Sequence, residues 1–177
     1  MYKVSRIKYK KNNSGYALPE VLVYLSLFVL MSVLVVNMLL SMSKAFAEIR
    51  ANRDMMRSGT SIMERITREI QNAESIDVAN STFGSSPGVL TLVGEDSGGS
   101  ARTVRFVTSS GAVHVYENDV DQGLLSVNPT TETSLLFNSI TTTTGRGVKV
   151  AITLTDTRGS NVRTENFYTT ATLRGSY

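Results

Sequence analysis

Hydrophobic positions along this chain fall into three successive patterns. From Val21 to Ser43 there is no charged residue in 23 positions, and the polar members, Tyr24, Ser26, Ser32 and Asn37 among them, are few and neutral. A helix needs about 20 apolar residues to cross a hydrocarbon core, so this segment is long enough to span a membrane. The run does not end at a turn, because no proline occurs between Pro19 and Pro87. Instead the pattern becomes amphipathic. Phe46, Ile49, Met56, Met63, Ile66, Ile70 and Ala73 follow three- and four-residue steps, and Ile49, Met56, Met63 and Ile70 are spaced by sevens. On the side taken as exposed, Arg50 with Asp54, Glu64 with Arg68 and Arg65 with Glu69 are opposite charges four apart. One helix from about residue 19 to about residue 74 is predicted, roughly 80 Å long at 1.5 Å per residue. Gly59 is its expected bend, since glycine weakens a helix interior.

Past Asp77 the composition shifts to Ser, Thr, Gly and Val, and short β-rich runs alternate with turn signals. Strands are expected at 89–93, 103–107, 113–117, 134–140, 148–155 and 162–173. Gly98-Gly99, Ser110-Gly111 and Arg158-Gly159 mark the connections. In 148–154 every second residue is apolar, the signature of a strand with one buried face. The fold class is therefore α+β: a long N-terminal helix, half transmembrane and half amphipathic, packed on a small antiparallel β-sheet domain. The organisation reads as a basic leader at 1–15, a transmembrane helix at 16–43, an amphipathic helix at 44–76 and an extracytoplasmic β-rich domain at 77–177.

Charge changes the picture in one respect. The net charge of +3 hides an asymmetry: Lys3, Arg6, Lys8, Lys10 and Lys11 precede Gly15 with no acidic residue among them. The remainder carries 13 basic and 15 acidic residues, so it is slightly acidic. The folded part has no basic excess, and direct nucleic-acid binding is not expected. The basic leader orients the N-terminus to the cytoplasm and everything beyond Lys44 to the outside. No cysteine is present, which excludes disulfides, thiolate metal sites and cysteine nucleophiles.

Candidate chemistry outside the helix is thin. Gly84-Ser85-Ser86-Pro87-Gly88 fits the nucleophile-elbow pattern, but Pro87 and Gly88 break the helix that such a turn must lead into. Asp96-Ser97-Gly98-Gly99 echoes a serine-protease stretch, yet His114, the only histidine, follows it in the chain. Both stretches read as hairpin loops. His114, between Val113 and Val115, reads as a surface strand position. Glu117-Asn118-Asp119-Val120-Asp121 offers oxygen ligands but lacks the spaced set calcium requires, so it reads as a solvated turn. No catalytic residue, metal or cofactor is assigned, and the chain is not expected to be an enzyme.

The junction Ser14-Gly15-Tyr16-Ala17-Leu18-Pro19-Glu20 carries the most information. A small residue closes a basic leader, an aromatic follows, and one glutamate sits five residues past the glycine at the head of the apolar run. This resembles the processing site of type IV prepilins and of type II secretion pseudopilins. The resemblance implies cleavage between Gly15 and Tyr16 by a prepilin peptidase, N-methylation of Tyr16, and a docking role for Glu20. It also implies other pilin or pseudopilin subunits, an assembly platform membrane protein and the lipid bilayer as partners, with an extracytoplasmic filament as destination. Tyr16 stands where Phe is commoner in the family and Ala17 where Thr is common. Residues 66–76 and 167–174 look similar to minor pseudopilin segments, and the missing C-terminal disulfide points the same way. Glu20 has a physical rationale too. A carboxylate beside a new α-amine, at about 4 Å and an effective dielectric near 20, gains roughly 4 kcal/mol before desolvation. The alternative reading is an exported β-domain, either held by an uncut anchor or released by signal peptidase at Ala45-Phe46-Ala47. An apolar run exceeding 20 residues is long for a signal peptide, whose h-region spans about 7–15.

Overall fold

A computed structural model describes residues 18–125, 131–142, 145–158 and 161–174. The chain divides into two units, Met1–Ala47 and Glu48–Tyr177. One helix, α1 (Leu18–Asn72), begins in the first and ends in the second. Among the described residues eight strands follow: β1 (Ser75–Ile76), β2 (Leu90–Glu95), β3 (Ala101–Ser109), β4 (Ala112–Glu117), β5 (Val120–Leu124), β6 (Thr131–Thr141), β7 (Arg146–Arg158) and β8 (Asn161–Thr172). The fold is α+β, the helix packing on antiparallel sheets.

In the second unit, α1 presents Ala51, Met55, Ser58, Gly59, Ile62, Met63, Ile66, Glu69 and Ile70 to the core. These steps follow the 3.6-residue period of a straight helix, not the sevenfold spacing read from Ile49, Met56, Met63 and Ile70. Phe46, Ile49 and Met56 accordingly stay about half exposed, at 50%, 48% and 48%, and do not belong to the buried stripe. Gly59 lies inside uninterrupted helix, with the Phe167 ring seated directly on it. A methyl group there would overlap the ring, so this glycine serves the close approach of Phe167.

The helix stops at Asn72, short of the expected 76. The Ala73 N–H still reaches the Glu69 carbonyl (2.9 Å), but the Glu74 N–H donates to the Val93 carbonyl (3.0 Å). From there Ser75 and Ile76 pair with Val93 and Leu92 of β2, and sheet pairing takes the place of the next helical turn.

The expected strands all form, and the β region divides into two sheets, ordered β1-β2-β3-β4-β5 and β6-β7-β8. Two-residue turns join β3 to β4 and β4 to β5. Ser110 and Gly111 (φ 52° and 76°) make the first, Asn118 and Asp119 (φ 49° and 65°) the second. Positive φ at both positions suits the right-handed twist of a hairpin. Gly98-Gly99 lies in the β2–β3 connection, where the Asp96 side chain accepts from the Gly98 and Ser100 amides. Gly159, assigned to the last connection, is outside the described residues.

Among the described residues, three backbone bonds join connections of the first sheet to β6. Gly84 and Gly88 donate to the Phe137 and Leu135 carbonyls (both 2.8 Å), and Thr133 donates to the Gly111 carbonyl (2.8 Å). Leu90, Leu92, Val104, Phe106, Val113 and Val115 from the first sheet join Leu135, Phe137, Val148, Val150, Ile152 and Leu154 from the second. With Ile62, Ile66 and Ile70 of α1 they form one hydrophobic core.

Candidate functional site

Gly15 and Tyr16, the proposed processing pair, lie outside the described residues. Glu20 sits in the first turn of α1 and is exposed, with the Tyr24 hydroxyl 3.4 Å from its Oε1. An acidic group there faces the unpaired N–H groups of a helix start, a favourable place for negative charge. It is the only acidic or basic residue from Leu18 to Ser43.

The apolar half around it has a consistent chemistry. Nearly every side chain from Leu18 to Ile49 is exposed; Ser32 is half-buried. The serines turn back onto the helix: Ser26 donates to the Val23 carbonyl (2.8 Å), Ser32 to Phe28 (2.8 Å) and Ser41 to Asn37 (2.9 Å). A hydroxyl satisfied within its own helix can be placed in lipid without an orphaned donor. By length and composition this helix can cross a membrane.

The second unit holds a charged cluster that sequence reasoning did not find. Glu69, only 5% exposed, accepts from Arg102 of β3 in a two-pronged contact, Nη1 to Oε2 at 2.8 Å and Nη2 to Oε1 at 3.3 Å. Arg65, one turn back on α1, adds a contact of 2.9 Å. Arg102 also donates through Nε to Glu117 of β4 (2.6 Å). The bond from Arg102 holds the Glu117 carboxyl below its ordinary range, and the two carboxylates in turn make Arg102 harder to deprotonate. Arg65 and Glu69, expected on the exposed side, thus join the helix to the first sheet. The pair pattern was legible; its burial depended on Arg102, which is 33 residues away in sequence.

Other sequence candidates are dispersed among structural tasks. Ser86 of the elbow-like stretch contacts the Ser134 hydroxyl, within the loop that binds β6 through Gly84 and Gly88. His114 is half-buried on β4, its Nδ1 3.0 Å from Asp121 Oδ2 and its ring stacked on Tyr116. Oxygens of the 117–121 run diverge: Glu117 faces Arg102, Asp119 faces Arg105 (3.3 Å), and Asp121 faces His114 and the Gly123 amide (2.7 Å). The Gly123 amide, with smaller help from His114, holds the Asp121 carboxyl below its ordinary range. This run was read as a turn only, yet Val120 and Asp121 open a fifth strand.

No family model, curated protein or solved structure matches the chain.

Proposed function

We propose that the chain is a structural, non-enzymatic subunit of a type IV pilin-like filament, of the minor pilin or pseudopilin kind. A prepilin peptidase removes residues 1–15, Tyr16 becomes the N-methylated terminus, and the apolar half of α1 holds the subunit in the cytoplasmic membrane. The β-rich domain lies outside, and an assembly platform passes subunits into the filament through their N-terminal helices. One observation carries the reading: an apolar helical segment, its side chains almost all exposed, has a single carboxylate, Glu20, in its first turn. A surface of that kind is completed by lipid before assembly and by other helices after it. The basic leader ending in Gly15 supports the same reading, and the helix runs unbroken through Ala45–Ala47, where signal peptidase would have to cut.

Intact mass and N-terminal sequencing of membrane-extracted protein test the processing step; a chain beginning at methylated Tyr16 is expected. A chain beginning at Glu48 supports the released domain instead, and an uncut chain the plain anchor. Glu20 is tested by comparing sheared-filament and membrane fractions of wild type, Glu20→Gln and Glu20→Asp. Cleavage should persist in all three. Assembly of the Gln variant should fall by a few powers of ten, since an amine left unpaired among packed helices costs several kcal/mol. Asp should be intermediate. If the Gln variant is cut and assembles like wild type, Glu20 has no docking role.

A further inference from the structure

The two long edges of the second sheet are treated differently. At β6, the Thr133 amide and the Leu135 and Phe137 carbonyls are bonded to Gly111, Gly88 and Gly84, which covers the middle of that edge. At β8, the Leu173 amide donates to the Arg146 carbonyl (3.0 Å), and the register with β7 runs unshifted from Arg158↔Asn161 to Gly147↔Thr172. Backbone groups alternate sides along a strand, so the odd-numbered residues of β8 bond to β7. Val162, Thr164, Asn166, Tyr168, Thr170 and Thr172 therefore turn their N–H and C=O outward. Among the described residues no backbone partner occupies this row.

Proteins ordinarily blunt such an edge with proline, lysine, a bulge or shortness. β5, the corresponding edge of the first sheet, has five residues and pairs across a register shift at Val115/Tyr116. β8 has twelve residues, no proline, no lysine and no shift, and its outward-turned residues are uncharged and, Asn166 apart, strand formers. Beside it runs an open groove between the strand and α1. Met63, Phe167 and the Tyr168 ring contribute its apolar surface, and Glu64, Thr67 and Arg68 its polar side.

We propose that the β8 edge is a docking site for an extended segment of a partner polypeptide, which adds as a fourth strand and lies in this groove. A row of backbone donors and acceptors about 7 Å apart, every second residue of a strand, is complementary to another strand and to no helix. The occupant presents apolar side chains toward Met63 and Phe167 on alternate positions, and its other positions face solvent. The proposal stands apart from the filament reading, since it concerns the second unit alone.

Residue-resolved amide exchange on the full chain in detergent micelles tests it. The probe is a synthetic peptide of residues 146–157, whose Val148, Val150, Ile152 and Leu154 supply the alternation, N-methylated on one edge to prevent stacking. Without peptide, the Thr164, Asn166 and Tyr168 amides should exchange roughly 100-fold faster than those of Glu165, Phe167 and Thr169. Saturating peptide should slow the even set at least about tenfold and leave the odd set protected. Tyr168→Pro removes an outward donor that β7 does not use, so it should keep the odd protection and abolish peptide binding. Even amides already protected in the free chain, no slowing with peptide, or undiminished binding to Tyr168→Pro would each overturn the proposal. Protection that rises with protein concentration alone would assign the edge to a second copy and overturn it as well.

Discussion

The two ends of α1 belong to one helix and obey different rules. Residues 18–47 are apolar around the whole circumference, and almost all their side chains are exposed. Residues 48–72 are mixed, yet this shorter stretch buries nine residues. Hydrophobicity alone therefore does not say which part of a helix packs within its own chain. Periodicity does: a stripe has a face to offer to a sheet, whereas a uniformly apolar surface asks for a surrounding solvent of lipid or other helices. The charged residues follow the same division. Glu20 is exposed beside an apolar surface, while Glu69 is buried and held by two guanidinium groups.

That division breaks most severely at the buried cluster. Arg102→Ala should cost about 3–5 kcal/mol, because it removes the two-pronged partner of a buried carboxylate. Arg65 still holds one Glu69 oxygen, which places the effect at the lower end. The pair Glu69→Leu with Arg102→Met should recover most of the loss, since neither charge is then stranded. Chemical denaturation of the full chain in micelles, followed by the β signal, measures both. Ile66→Ala, at a position with no exposure, should cost about 3 kcal/mol. Ile49→Ala and Met56→Ala should each change stability by less than about 0.5 kcal/mol. Equal losses at Ile49 and Ile66 would place Ile49 in the buried stripe and refute the face described above.

These contrasts also mark what was legible in the sequence. Short β-forming runs bounded by turn signals located six strands, and alternation in 148–154 marked the buried face of β7. β1 and β5 escaped for opposite reasons. Ser75 and Ile76 are too few to show a period, and the β5 hairpin turns on Asn118-Asp119, where the stronger signal is asparagine before glycine. The division into two sheets was not legible, as it rests on which strands pair through their backbones, to which side-chain patterns are blind. Ile49 and Met56 were misassigned because a spacing of seven drifts about 20° per heptad around a straight helix, and Phe46, one step before Ile49, went with them. Of the candidate site, Glu20 stands out in sequence as a lone charge in an apolar run. Glu69 does not, since its burial depends on a strand more than thirty residues away.

A smaller effect concerns acid. The Arg102 bond holds the folded Glu117 carboxyl below its ordinary value, so its ionised form stabilises the fold. That contribution is fully present above the ordinary glutamate pKa, about 4.3, and is lost as pH falls through the lower folded value. Glu117→Gln should therefore lower stability modestly at neutral pH and make the decline below about pH 4 shallower. The side chain is one-third exposed, so solvent screening keeps the change small. Denaturation midpoints of wild type and variant between pH 7 and pH 3 should converge toward the acid end. Curves that stay parallel throughout would remove Glu117 from the cluster's electrostatics.

The smallest expected effect lies in the apolar half. Leu30, 61% exposed, makes no part of the core, so Leu30→Ala leaves no cavity in the β-rich unit. Its unfolding free energy should stay within about 0.5 kcal/mol of wild type, against about 3 for Ile66→Ala. In the membrane the same change removes a favourable leucine contribution of at most about 0.6 kcal/mol at mid-helix, too little to prevent insertion. The informative readout is therefore the pair of measurements: denaturation of the β signal in micelles, and the fraction of chain recovered with membranes. Both should match wild type closely. A loss of more than about 1 kcal/mol in the first would mean that Leu30 is packed against the folded unit, contrary to its exposure. The two ends of the helix would then answer to one core, and the uniformly apolar surface would need no lipid or neighbouring helix to account for it.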